Sequence, residues 1–418
     1  MKLKISNTSI FVFSLFLYLS LIVGFLYNEN LNYGSYGDWI NSNLEPIKDF
    51  SNNFFETFLN YDEYGHRHSP IYLIFLSIFL DLGFTIDVVR IIHLHLSILL
   101  IIFFYKCLKL NFDTIDSKYL ALLSLVIFLS PTYRSLSIWP DTRIPGLLFF
   151  VLTIYFFLKF KKTDNFRYTW FTCICLIVSS YISPNFSIFF PYFFFFFLKK
   201  FRLSKLSLLI LFNFLAALPI FYYIFILDVN FLTAGKTPGL DGEAISLSFN
   251  FSNKLMIISS IIFFHLSPVL LNNKFHKSFF QFLFKKVIIL MTLTVVLAYF
   301  FNYQTAFTGG GIFYNLSHFL FDNDYIFFIV AFFSIGFIYY LSTLDLNNFF
   351  LFALLIISNL QNTIYHKYYE PLVIIMFFTL FSNVDAENFL KKKINLVYIY
   401  ILSIIYILAR LYKNQYLV

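Results

Sequence analysis

Apolar residues run along this chain in long blocks, broken by short polar or charged intervals. The blocks fall at roughly 9–27, 88–108, 118–131, 144–159, 168–183, 185–198, 206–227, 255–271, 287–303, 324–342, 348–363, 370–382 and 394–411. A bilayer-spanning helix needs about 20 apolar residues, with a range near 17–25, and most of the blocks approach that length. The pattern predicts an all-α fold: a polytopic membrane protein of about 13 transmembrane helices. Residues 69–84, "SPIYLIFLSIFLDLGF", are equally apolar but only about sixteen long, below the spanning range. They are expected to lie along the surface or re-enter it, so that 28–87 forms a first external loop with interfacial helices.

Charge orients this arrangement. With 69–84 on the outer surface, the cytoplasmic side collects Lys2, Lys4 and the clusters near 106–118, 159–167, 199–205, 274–286 and 391–393, about two-thirds of the 30 Lys and Arg. The positive-inside rule favours that reading over one in which 69–84 spans. The N-terminus is then cytoplasmic and the long polar loops, 28–68, 132–143, 228–254, 304–323 and 364–369, share the outer face of a cell (inner) membrane.

Composition narrows the class. Charged residues make up 12% and hydrophobic ones 59%, against about 25% charged in soluble domains. A formal charge of +8 would suggest nucleic acid in a soluble protein; here the basic residues sit between apolar runs, so no nucleic-acid partner is expected and the lipid bilayer is the first one. The basic start and long apolar run lack a small-residue cleavage site and read as a retained first helix. Cys107, Cys173 and Cys175 lie inside apolar runs without metal-ligand spacing and read as core residues. No soluble domain or repeat array stands out, so 1–418 is expected to be a single membrane domain.

The outer loops carry the candidate chemistry. In "YGSYGDWI" Asp38 sits about ten residues beyond the first helix, and an acidic group beside the bilayer is costly unless it meets a cavity or a partner. "YDEYGHRHSPIY" places His66, Arg67 and His68 ahead of the interfacial segment, a cationic cluster suited to an anionic headgroup. Its spacing matches no closed metal site. "SPTYRSLSIWPDTRIPG" packs Asp141 and Arg143 between Pro140 and Pro145 at the mouth of a helix. Gly309, Gly310 and Gly311 precede another helix and could cradle an anion with backbone N–H groups. In "YHKYYEP", Lys367 and Tyr368 fill a tight outer loop, and a lysine there runs against the positive-inside bias. His93, His95 and His265 lie within apolar runs and read as core histidines.

In this order, the pieces resemble the GT-C fold glycosyltransferases, in particular the branch of the protein O-mannosyltransferases and the aminoarabinose lipid A transferases. The likeness rests on the first-loop Asp38, the "HSPIYLI" segment after a basic residue, the acidic second loop and the late Lys-Tyr-x-x-Pro-like element. It implies an extracytoplasmic active site, a polyprenyl-phosphate sugar as donor, and a glycan, lipid or protein as acceptor. Carried over, Asp38 is the catalytic acid position, Asp141 the second-loop acid, Arg67 or His68 the basic contact, and Lys367 with Tyr368 the late element. Trp39 stands where many members have Glu, "HSP" replaces "KPP", and no C-terminal soluble domain is expected. No metal ligand or cofactor follows from the residues; the resemblance leaves a divalent cation open. Two other classes compete: a polysaccharide-assembly protein like the O-antigen polymerases, whose large loop falls between later helices, and a lipid-linked sugar transporter or flippase, which would carry midplane charges and internal repeats. The orientation is testable. In a cysteine-free background, a cysteine at position 38 is expected to react with an impermeant maleimide from outside intact cells; labelling from the cytoplasmic side alone overturns the topology.

Overall fold

The computed structural model describes residues 6–32, 34–66, 68–226, 249–304 and 309–416. Those residues fold into helices, with no strand among them. The chain is a multi-pass membrane protein: eight described helices are long and apolar enough to cross a membrane, nine if a bent pair counts as one span. Their outer faces agree, since Phe214 is 60% and Ile288 78% exposed, a surface that water would penalise and lipid does not.

The five other blocks of the thirteen fold shorter, and the sequence supplies the reason for each. Pro131 cuts the 118–131 block off from the second loop, giving helices Ser117–Leu125 and Pro131–Ile138 around a short 3₁₀ turn, bent by 67°. Ser183 precedes Pro184 and is extended, so Arg167–Ile182 stops at 16 residues. Phe190–Lys200 starts only after Pro184 and a 3₁₀ turn. Leu346–Ile357 ends before an Asn/Gln-rich stretch, and Leu372–Thr379 begins after Pro371. At about 1.5 Å per residue, the longest of these four uninterrupted helices reaches about 24 Å, short of a hydrocarbon core about 30 Å thick.

The helices gather into two compact units, each described by itself. The first holds the described residues up to Ile226 together with those from Ile399 onward. In chain order its helices are α1 (Asn7–Leu26), α2 (Gly34–Asp38), α3 (Leu44–Asn52), α4 (Phe54–Leu59), α5 (Ile71–Asp81), α6 (Ile86–Asn111), α7 (Ser117–Leu125), α8 (Pro131–Ile138), α9 (Arg143–Thr163), α10 (Arg167–Ile182), α11 (Phe190–Lys200) and α12 (Leu203–Phe225). The loop after α1 is helical throughout much of its length. A π-helical turn over Trp39–Asn43 joins α2 to α3. Helix α3 buries Pro46, Ile47 and Phe50 and exposes Glu45 and Lys48, so its apolar stripe packs on α5. Tyr64 donates to Asp49 at 2.6 Å and closes the end of this cap. Helix α5 has 11 residues and ends at Gly83, whose φ of 84° lets the chain turn into α6. The core of the unit is α9 packed on α6 and α10. The final helix adds its part from Ile399: Tyr400 donates to the Leu122 carbonyl at 2.7 Å, and Arg410 and Asn414 bond Asn32 and the Asn30 carbonyl.

The second unit spans the described residues from 249 to Tyr398. Its helices are α13 (Phe251–Leu266), α14 (Asn273–Tyr299), α15 (Gly311–Phe321), α16 (Tyr325–Leu344), α17 (Leu346–Ile357), α18 (Leu372–Thr379) and α19 (Ala386–Lys391). Helix α16 packs on α13, α14 and α17. All eight residues of α18 are buried. Asn348 is fully buried and satisfied, its amide donating to the Leu341 and Ser382 carbonyls and accepting from the Ser382 N–H.

Gly146 marks the closest approach in the first unit. Its carbonyl accepts from Ser179 at 2.7 Å, and a Cβ there would stand 2.7 Å from Ser183 Cβ. Gly146→Ala is expected to cost about 1–3 kcal/mol by overpacking, read as a lower unfolding midpoint in detergent. Gly34→Ala, with nothing within 4 Å of the added carbon, is expected to leave the midpoint unchanged or raise it.

Candidate functional site

The C-terminal end of α1, the N-terminal end of α6 and the short α8 form a polar layer in the first unit, and the first and second loops meet on it. Arg134 on α8 is 7% exposed and grips Glu29 with two bonds, Nε to Oε1 at 2.6 Å and Nη2 to Oε2 at 2.7 Å. Its guanidinium also donates to Ser20 Oγ and to the Ser20 carbonyl at the end of α1. This planar fork suits a carboxylate as no lysine would. Trp139 Nε1–H donates to the Glu29 carbonyl at 3.0 Å, and the Asn32 N–H to Ser135 Oγ at 2.9 Å. Arg90, near the start of α6, lies with its guanidinium carbon 4.0 Å from the Trp139 ring centroid, and bonds Asp87 and Asn28.

Asp38 closes α2 and is half-buried. Residues on either side of it reach the second loop. The Tyr36 ring packs edge-on against Trp139 at 4.7 Å, and Asn43 Nδ2 donates to the Pro140 carbonyl at 3.0 Å. Asp141 follows at once and is 8% exposed. Its Oδ1 accepts the Arg143 N–H at 2.7 Å, which satisfies an orphan donor at the start of α9, while Oδ2 stands 3.9 Å from Arg143 Nη1. Beneath them His93 donates from Nε2 to the Leu136 carbonyl at 2.7 Å. That fixes the tautomer, and Tyr72 then donates to His93 Nδ1. His93 is thus a bonded core histidine, as the sequence implies.

His68 is half-buried and its carbonyl accepts from Tyr61 at 3.2 Å. Its neighbour His66 stacks on Tyr61 and meets the Ser42 carbonyl at 2.7 Å. Burial, and then the Asp49 carboxylate, raise the Tyr64 phenol above its ordinary range, so it serves this loop as a donor. Arg67 lies outside the described residues. A groove of about 610 Å³ runs along α1, walled by Phe16, Leu19 and Val23 and ending at Glu29 and Arg134.

The remaining candidates belong to the second unit. Gly309, Gly310 and Gly311 all have positive φ, at 114°, 81° and 79°. A Cβ on Gly309 would meet the Ile364 carbonyl at 2.5 Å, and one on Gly311 would meet Ile261 at 2.8 Å. The Gly310 N–H donates to that Ile364 carbonyl at 3.0 Å, so this amide is committed within the protein. Lys367 and Tyr368 sit in a 3₁₀ turn over His366–Tyr368, with Lys367 Nζ 5.1 Å from the Tyr365 ring centroid. Burial pushes the Tyr314 phenol up to about 12 and raises that of Tyr303, so both stay protonated; Tyr314 donates to the Tyr303 carbonyl, and Tyr303 Oη accepts from the Ile364 N–H. Close to this turn lies a group that sequence reading treated as separate parts: His265, His366 and Glu370, all buried, are the one set of three His, Cys, Asp or Glu among the described residues near enough to share an ion.

Compared with known protein families, curated proteins and solved structures, the chain matches none.

The Arg134–Glu29 pair should carry much of the first unit's stability. Arg134→Ala leaves a largely buried carboxylate without its guanidinium and is expected to cost about 3 kcal/mol. The double variant Glu29→Gln/Arg134→Met is expected to recover part of that loss, so unfolding midpoints should show the two changes to be non-additive.

Proposed function

We propose that the chain is a glycosyltransferase that moves a sugar from a polyprenyl-phosphate donor to a hydroxyl acceptor on the extracytoplasmic face. One observation carries this reading: residues flanking Asp38 are bonded to the segment that ends in Asp141 and Arg143. A carboxylate, a second acid and a guanidinium are thereby presented by adjoining loops on the polar layer of α1, α6 and α8. In the proposed reaction Asp38 takes the acceptor's O–H proton as that oxygen attacks the anomeric carbon. The bond from that carbon to the phosphate oxygen breaks, and the lipid phosphate leaves with the electron pair. A single displacement inverts the anomeric configuration and asks for one base.

The cations divide by the length of their ion pairs. Arg134 is held by two short bonds and Arg90 by Asp87 at 3.1 Å, whereas Arg143 and Asp141 stand 3.9 Å apart. Arg143 has the longest of the three pairs and follows the Trp139–Pro140 segment that Tyr36 and Asn43 contact, so it is assigned to the developing charge on the leaving group. The groove along α1 offers apolar contact to an isoprenoid chain. The roles of Lys367 and Tyr368 in donor binding rest on the family resemblance alone.

The test uses purified protein in nanodiscs, with a panel of polyprenyl-phosphate sugars and hydroxyl acceptors. Wild type is expected to turn over at least one donor. Asp38→Asn should lower kcat by about 10²–10⁴-fold with an unchanged elution profile. Arg143→Gln should raise the donor KM. Full activity in Asp38→Asn removes Asp38 as base, and an inert wild type across the panel removes the reading.

A further inference from the structure

We propose that His265, His366 and Glu370 form a binding site for one zinc-type divalent cation, held by the Nε2 atoms of the two histidines and by Oε2 of the glutamate. This inference concerns the second unit alone and does not depend on the glycosyltransferase reading.

Two segments distant in sequence converge on it. His265 lies in the last turn of α13, just before the 3₁₀ turn Ser267–Leu271. His366 opens the turn His366–Tyr368, and Glu370 follows four residues later, with its N–H bonded to the His366 carbonyl at 3.2 Å. That spacing puts the two side chains on one face of the turn. The His265 and His366 Nε2 atoms are 2.8 Å apart, His366 Nε2 and Glu370 Oε2 are 3.7 Å apart, and the three residues can each place one ligand atom within 4.8 Å of the others.

Those distances suit a shared ion. With metal–ligand bonds of about 2.0–2.2 Å, two ligand atoms on a tetrahedral zinc stand roughly 3.3–3.5 Å apart. The observed 2.8 and 3.7 Å lie on either side of that value, and small side-chain rotations bring both onto it. The donor chemistry also selects. Two imidazoles and one carboxylate are a borderline-soft set that zinc and its first-row neighbours take readily, whereas calcium and magnesium ask for six or more oxygens or for water. Three protein ligands leave a fourth position for a water or another oxygen.

Burial gives the second argument. Glu370 is 4% exposed, and His265 and His366 are 8% each. A divalent ion held between neutral imidazoles would offset the charge of an ionised carboxylate at that depth. The Phe264 ring stands edge-on to both histidines, at 5.2 and 6.3 Å, and forms an apolar wall beside them. The plain alternative is an N–H···N hydrogen bond between the imidazoles with the glutamate beside it, and the experiment separates the two.

Full-length protein purified without a polyhistidine tag is stripped with a chelator, dialysed and titrated with zinc chloride. About one zinc per chain is expected by elemental analysis, with X-ray absorption showing imidazole scattering and N/O ligands near 2.0–2.1 Å. His265→Ala/His366→Ala should bring the stoichiometry to near zero. Cobalt in wild type should give the intense visible bands of a four-coordinate ion, a readout that needs no variant to fold. Wild type that takes up no zinc, uptake unchanged in the double variant, or an absorption spectrum without imidazole scattering overturns the proposal.

Discussion

Lipid offers a polar group no hydrogen bond, so every donor, acceptor and charge in a membrane chain has to find its partner inside the protein or at the water edge. That constraint arranges both units. Serine and threonine hydroxyls along the spans turn back on carbonyls three or four residues earlier, as Ser14, Thr153, Thr172, Ser180 and Ser334 do. Some larger polar groups are served within their own helix, as Asn213 and His95 are, but an arginine's five donors need more than that. Such groups collect where helices end, and there they tie one segment to another.

In the first unit the outcome is a layer in which each arginine is both a charge and a fastener. Arg134 joins α8 to the end of α1 through Ser20 and Glu29, and Arg90 joins α6 to Asn28 while lying on Trp139. Trp139 in turn holds the Glu29 carbonyl and packs Tyr36. The loop that carries Asp38 is therefore placed by an interlocked set of contacts on its flanks. A base that must meet a proton at hydrogen-bond distance needs that kind of support, because misplacement by about 1 Å can cost on the order of 10²-fold in rate.

The long spans were legible in the sequence because a 20-residue apolar run has one low-energy outcome in lipid. Residues 69–84 were legible as too short a run to span, and they hold the 11-residue α5. The five shorter blocks looked alike in hydropathy, and what separates them from spans is backbone chemistry at single positions such as Pro131, Pro184 and Pro371, which a hydropathy window averages away. The importance of the second loop was visible as a density of Tyr, Trp, Arg and Asp. Which partner each would choose was not. Glu29 was one acid among seven in its loop, and Arg134 lies 105 residues from it. His265 looked like a core histidine in an apolar run, and its contact with His366 spans 101 residues. No local pattern encodes such pairs.

The glycine run shows how the same constraint works at the level of the backbone. Read alone, Gly309–Gly311 suggests a loose turn or an anion cradle. In the fold it brings one segment against another: the Gly310 N–H bonds the Ile364 carbonyl, the Ile364 N–H bonds Tyr303 Oη, and Tyr314 donates to the Tyr303 carbonyl. Asn315 adds bonds to the Gly309 and Gly311 carbonyls. A side chain at 309 would push the run off Ile364, and one at 311 would push it off Ile261 on α13. The glycines thus fix Ile364, two residues before His366, and through it the turn that carries His366 and Glu370. Three donor atoms can meet one ion only if the backbone beneath them does not drift, and here that backbone is bonded two residues upstream, at Ile364.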